Sequence, residues 1–136
     1  MSIQAYKNQQ DCDILGASPL ELVRVLYRGA IESVRAAQRH LASGRIRERS
    51  AAITKACAIV QELAISLNRE EGGELAGNLA ELYVYIHRRL GDANIEQTGA
   101  PLEEVERLLG TLLEAWTAIE GHEEVPTTGE PLRLTA

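Results

Sequence analysis

Phenylalanine is absent from this chain, and it holds only four tyrosines, one tryptophan and two cysteines. Cys12 and Cys57 lie far apart and form no Cys-x-x-Cys pair, which excludes a disulfide framework or a cysteine-rich zinc site. No stretch approaches the roughly 20 uncharged apolar residues that span a bilayer, so membrane insertion is not expected. The opening Met1-Ser2-Ile3-Gln4-Ala5-Tyr6-Lys7 carries no apolar signal-peptide core, which makes the cytoplasm the expected location. Strand patterning is missing too, since apolar and polar residues nowhere alternate over about six positions.

What is present points to helices. The chain has 136 residues, 45% of them hydrophobic and 25% charged, and Ala, Leu, Glu and Arg dominate. That length suits one domain with its own core, and those residues are strong helix formers.

A first helix is expected from Ser18-Pro19-Leu20-Glu21, where Ser18 can cap, Pro19 fits the first helical position and Glu21 can complete a capping box. Its stripe runs through Val23, Tyr27, Ala30, Val34, Ala37 and Leu41, and Gly44 ends it. A second stripe follows at Ile46, Ser50, Ile53, Cys57, Val60, Ala64 and Leu67, before a polar turn over Arg69-Glu70-Glu71-Gly72-Gly73. A third holds Leu75, Leu79, Leu82, Ile86, Leu90 and Ala93, weakened near its end by Gly91. After Thr98-Gly99-Ala100-Pro101, a fourth holds Leu102, Val105, Leu109, Leu112, Trp116 and Ile119. Short connections between helices of similar length predict an all-α, antiparallel, up-down-up-down four-helix bundle over residues 18–121. Residues 1–17 precede it as a segment able to lie along it. Residues 122–136, with Pro126, Gly129 and Pro131, read as a flexible acidic tail.

No catalytic constellation is visible in the sequence. A carboxylate di-metal centre in a bundle needs Glu-x-x-His pairs, and the residues three before His40, His87 and His122 are Ala37, Val84 and Ile119. Phosphate loops, Gly-x-Ser-x-Gly and His-Glu-x-x-His are absent as well. Cys57 falls on the core stripe and reads as a small buried hydrophobe, and Cys12 has no basic neighbour to activate it. Neither an enzyme nor a bound metal or cofactor is expected.

Charge is unevenly placed. Arg24 to Lys55 holds eight basic and two acidic residues, whereas Pro101 to Ala136 holds two basic and eight acidic. On a helical wheel Arg24, Arg28, Arg35 and Arg39 cluster on the outer face of the first helix. That face suits nucleic acid or an acidic protein, giving a small adaptor as the alternative function. With no interleaved aromatics and an acidic total, it reads instead as a solvated face partly neutralised by carboxylates of the fourth helix.

The apolar arcs are wider than a surface helix needs. Leu22 points about 100° and Val25 about 160° from the direction of Val23, while Tyr83 and Tyr85 flank the third stripe at about 80° on either side. These are boundary residues of a thick core, or spare apolar surface covered by another segment.

Ala5-Tyr6-Lys7, Ser18-Pro19-Leu20-Glu21-Leu22, Leu26-Tyr27-Arg28-Gly29-Ala30, Leu82-Tyr83-Val84-Tyr85-Ile86, Ala93-Asn94 and Leu109 to Trp116 follow in that order. Together, across roughly residues 5–118, they resemble the flagellar secretion chaperone FliS family. The chain departs from that family at Arg28, where an acidic residue is common, and in its tail. The resemblance implies a cytoplasmic helical bundle that binds the disordered C-terminal segment of flagellin in an apolar groove. Such binding prevents premature polymerisation and keeps flagellin competent for type III secretion. It also implies an N-terminal strap, including Tyr6, over part of the groove, and it raises export-gate and regulatory proteins as further partners. Groove and strap residues expected on this basis are Tyr6, Leu22, Val25, Leu26, Tyr27, Tyr83, Tyr85, Ile86 and Asn94.

Overall fold

The computed structural model describes residues 19–67 and 69–120. Among them are four helices, α1 (Pro19–Ala42), α2 (Ile46–Ile65), α3 (Arg69–Glu96) and α4 (Ala100–Glu120). The expected strap, the acidic tail and the capping role of Ser18 lie outside the described residues.

The fold is an all-α four-helix bundle. α1 packs on α2 and α4, and α3 packs on the same two neighbours. Polar contacts between helix ends fix the antiparallel register. Ser50, near the start of α2, donates to Asn94 Oδ1 near the end of α3 at 2.8 Å, and Arg35 late in α1 donates to Glu106 early in α4 at 2.7 Å. Arg49 is only 4% exposed and reaches the Asn94 carbonyl and side-chain oxygen at 3.4 and 3.3 Å. It places a cation on one of the carbonyls a helix C-terminus leaves without an intrahelical partner.

The stripes meet in one core. Tyr27, Ala30, Val34 and Ala37 of α1 close on Ile53 and Val60 of α2, with Leu79, Ile86, Leu90 and Ala93 of α3 and Leu102, Val105, Leu109 and Trp116 of α4. Val23, Leu41, Cys57, Ala64, Leu67, Leu75, Leu82 and Leu112 pack against its edges. Ile46, the first member of the α2 stripe, is instead 57% exposed. In the register set by Ser50 and Asn94, the neighbouring helices have ended at its level, so nothing covers it.

Gly44 does end α1, with φ of 72°. The Arg45 N–H bonds the His40 carbonyl and the Gly44 N–H bonds that of Leu41, which is the two-bond Schellman closure. The segment expected to be a polar turn before α3 is helical from Arg69, and the bend falls at Gly73, where φ is 55° and ψ −129°. Glycine supplies that backbone at no steric cost. Gly72 beside it is a close approach, because a Cβ there would stand 2.6 Å from that of Ala76.

Candidate functional site

Along α3, successive residues turn by about 100°, so Tyr83 and Val84 cannot share a face. Tyr83 enters the core at 2% exposure, and Val84 stands outside at 69%. Across from them α2 presents Val60, Gln61 and Ala64, and with His87 and Arg88 on the α3 side they bound a cavity of about 650 Å³. Its floor is apolar, formed by Val60, Ala64 and Tyr83, Val84 makes an exposed apolar wall, and among the described lining residues the formal charge is that of Arg88 on the α3 rim. A pocket of this size, mostly apolar with a few polar groups, fits a bound side-chain cluster.

Beneath the floor lies an aromatic cluster. The hydroxyls of Tyr27 and Tyr83 meet at 2.5 Å, and the Tyr27 ring is 6.5 Å from that of Tyr83 and 6.3 Å from the Trp116 ring. Burial pushes both hydroxyls above their ordinary titration range, and for Tyr27 the hydrogen bond with Tyr83 offsets part of that. The groove floor therefore rests on a packed, hydrogen-bonded pair rather than on loose side chains.

Tyr85 is turned the other way, to the seam with α4. Its hydroxyl donates to Glu104 Oε2 at 2.6 Å, while Arg89 Nε donates to Oε1 of the same carboxylate at 2.7 Å. These two donors hold the Glu104 carboxyl below its usual range, Tyr85 contributing most. The Arg88 guanidinium stands 5.5 Å from the Tyr85 ring centroid, within reach of a cation–π attraction that positions it at the groove rim.

The residues expected from the sequence are thus distributed over three places. Leu26, Tyr27 and Ile86 are sealed in the core, where they shape the bundle from within, and Tyr83 belongs both to the core and to the groove floor. Leu22 and Val25 are half-buried on α1. Val25 is one turn before Gly29, whose added Cβ would meet Ile59 Cδ1 at 3.5 Å, so Val25 follows the seam of α1 with α2. Asn94 is occupied in the polar clamp with Arg49 and Ser50. Tyr6 lies outside the described residues.

The sequence pattern alone does not single out Val84, which stands in it only between Tyr83 and Tyr85. A signal is present all the same, in a large apolar residue about 100° away from a buried tyrosine and one turn from both Glu81 and Arg88. Val60 and Ala64 read as core alone from the sequence, because periodicity does not reveal which stripe residues also line a cavity between two helices.

The basic outer face of α1 is largely neutralised. Arg24 is 7% exposed and pairs with Glu21, so it leaves the solvated cluster it was expected to join. Arg35 shares the Glu106 carboxylate with Gln38, and Arg39 stands 3.6 Å from Glu32. Among the described residues no group of three or more His, Cys, Asp or Glu could hold a metal ion, and no helix is long and apolar enough to cross a membrane.

Sequence relatives give the class of protein to which this bundle and its apolar groove belong. Over 107 residues the chain is 39% identical to the flagellar secretion chaperone FliS of Salmonella typhimurium strain LT2, covering 78% of this chain and 79% of that one. The Pseudomonas aeruginosa chaperone FliSB is 35% identical over 80% of this chain and 86% of its own, and Bacillus subtilis FliS is 33% identical over 85% and 86%. A sequence model of the family described as flagellar protein FliS matches residues 2–123. The chain belongs to the FliS family of flagellar secretion chaperones.

Proposed function

We propose that this protein is a cytoplasmic export chaperone, without catalytic activity, whose α2–α3 groove binds the disordered C-terminal segment of flagellin. Holding that segment prevents premature polymerisation and keeps flagellin competent for type III secretion. The observation that carries the reading is Val84, a large apolar side chain 69% exposed beside a cavity of about 650 Å³ with an apolar floor. Such a surface suits helix-in-groove recognition, where apolar anchors of an ordering segment fill the groove. Ordering the segment costs about 2–5 kcal/mol or more, and apolar burial is the term large enough to offset it. Leu22 and Val25, half-buried on α1, with Tyr6 in the N-terminal segment, extend the proposed footprint beyond the groove. Export-gate or regulatory proteins are further proposed partners.

Titration calorimetry with a flagellin C-terminal fragment at two salt concentrations tests this. Binding that persists with salt and shows a negative heat-capacity change supports the apolar groove. Binding that weakens steeply with salt would favour the electrostatic adaptor acting through the arginines of α1.

A further inference from the structure

We infer that the bound flagellin segment lies along α3 as a helix, from the cavity at Val84 down to Ile95, with one large apolar side chain seated over the bare backbone of Gly91. This rests on the groove proposed above and deepens it, by fixing the length, the conformation and one side-chain pocket of the bound segment.

Below the cavity the outer face of α3 stays apolar. Residues seven and eleven apart on a helix fall within about 20° of one another, so Val84, Gly91 and Ile95 form one line about 16 Å long. Both ends of the line are large and uncovered. Val84 is 69% exposed, and Ile95 is 80% exposed, the most of any large hydrophobic residue among the described residues. Between them Gly91 presents no side chain, and a Cβ built there would meet nothing within 4 Å.

The charged neighbours of Gly91 are held aside. The Arg88 guanidinium stands 5.5 Å from the centroid of the Tyr85 ring, and Asp92 accepts a 3.1 Å hydrogen bond from Arg89. Tyr85 and Arg89 are themselves fixed to Glu104 on α4. Both charges are therefore drawn toward the α4 seam, and the line from Val84 to Ile95 is left open.

The shape calls for a helix. Val84, His87, Arg88 and Gly91 have the i, i+3, i+4, i+7 spacing of a hole that receives one side chain of a facing helix. Arg88, Gly91, Asp92 and Ile95 repeat it one turn lower. Gly91 belongs to both holes and deepens both. Glycine is a weak helix former at such an interior position, and no close approach within the bundle requires it there. A side chain entering from outside gives the notch a use. A second copy of the chain suits the strip less well. One helix wide and about 16 Å long, it is far short of the roughly 800 Å² per partner that two globular copies bury in a stable complex, whereas a disordered segment adds such strips by wrapping.

The test is titration calorimetry of the full chain with a flagellin C-terminal fragment, comparing Val84→Glu, Gly91→Leu and Ile95→Glu, with a melting temperature for each. Gly91→Leu fills the notch and Ile95→Glu sets a carboxylate under the segment. Each should weaken binding about 10-fold or more while the bundle stays folded. Gly91→Ala fills the notch only in part and should weaken binding by about two- to five-fold in a protein that melts no lower than the parent. Far-UV circular dichroism of the mixture should exceed the sum of its components by about three turns of helix. Parental or tighter affinity in Gly91→Leu or Ile95→Glu, or no gain of helix, would overturn the inference. If Val84→Glu is weakened in that same series, the groove reading stands and the footprint ends at the cavity. Parental affinity in Val84→Glu overturns both. A dimer in sedimentation that Ile95→Glu dissolves, with fragment binding unchanged, would make a second copy the occupant of the strip and also overturn the inference.

Discussion

The hydroxyls of Tyr27 and Tyr83, fifty-six residues apart in the chain, are 2.5 Å apart in the core and form one hydrogen bond that ties α1 to α3. Both are buried, at 0% and 2% exposure, so removing one partner strands the other away from water. Tyr83→Phe should cost about 1–3 kcal/mol in urea unfolding, and Tyr27→Phe a similar amount. The double variant should cost less than the sum, because neither hydroxyl is then left alone. Additive losses would show that the two groups are satisfied independently. High pH offers a second reading. Both tyrosines titrate above their ordinary value of 10.0 in the fold because burial penalises the anion. The stability this contributes is present below pH 10.0 and is lost as pH rises through the folded values. Tyrosinate absorbance from these two residues should therefore appear only together with unfolding.

Gly91 sits inside α3 with open space where a Cβ would go. Gly91→Ala removes unfolded-state freedom and adds a better helix former without a clash. It should raise stability by about 0.5–1 kcal/mol, seen as a higher melting temperature. A loss of stability would mean that α3 must bend at this position.

Acid should loosen the two seams of α4. Glu106 titrates below its ordinary value of 4.5, chiefly through its hydrogen bond from Arg35, and Glu104 does so through Tyr85 and then Arg89. A depressed carboxylate contributes stability above its unfolded value, and that contribution is lost as pH falls through the folded one. Both groups are substantially solvated, so the effect is modest and salt-sensitive. Carboxyl carbon titration by NMR should place both midpoints below 4.5, and Glu106→Gln should flatten the stability loss between neutral pH and acid. Midpoints at the ordinary value would remove these pairs from the account.

Much of this fold was legible because one signal carried it. Tyr27, Val34, Ile53, Leu90 and Leu109 recur at helical spacing, and each is buried where the spacing puts it. Gly44 announced the end of α1 because a left-handed residue there favours glycine. The break between α3 and α4 was legible in Thr98-Gly99-Ala100-Pro101, but the residue that turns the chain was not, since Gln97 takes φ of 58° with no glycine to mark it and closes on the Ala93 carbonyl. The groove was legible only in outline. Wide apolar arcs and family-like motifs pointed at α1 and at Tyr83 and Tyr85, yet a helical wheel cannot say which neighbour covers which side. Tyr83 went inward to Tyr27, Tyr85 went to Glu104, and the exposed apolar wall fell to Val84, between them in sequence.

The central claim is that the groove beside Val84 holds flagellin, and Val84→Glu tests it most directly. Because the side chain is 69% exposed, the change should alter the unfolding free energy by no more than about 0.5 kcal/mol. In the complex the new carboxylate would be desolvated against Val60 and Ala64, which is heavily penalised even with Arg88 one turn away at the groove rim. Titration calorimetry with a flagellin C-terminal fragment should show affinity weakened about 10-fold or more, or about 1.4 kcal/mol upward. Unchanged affinity in a Val84→Glu protein of normal stability would contradict the account and move the flagellin site off this groove.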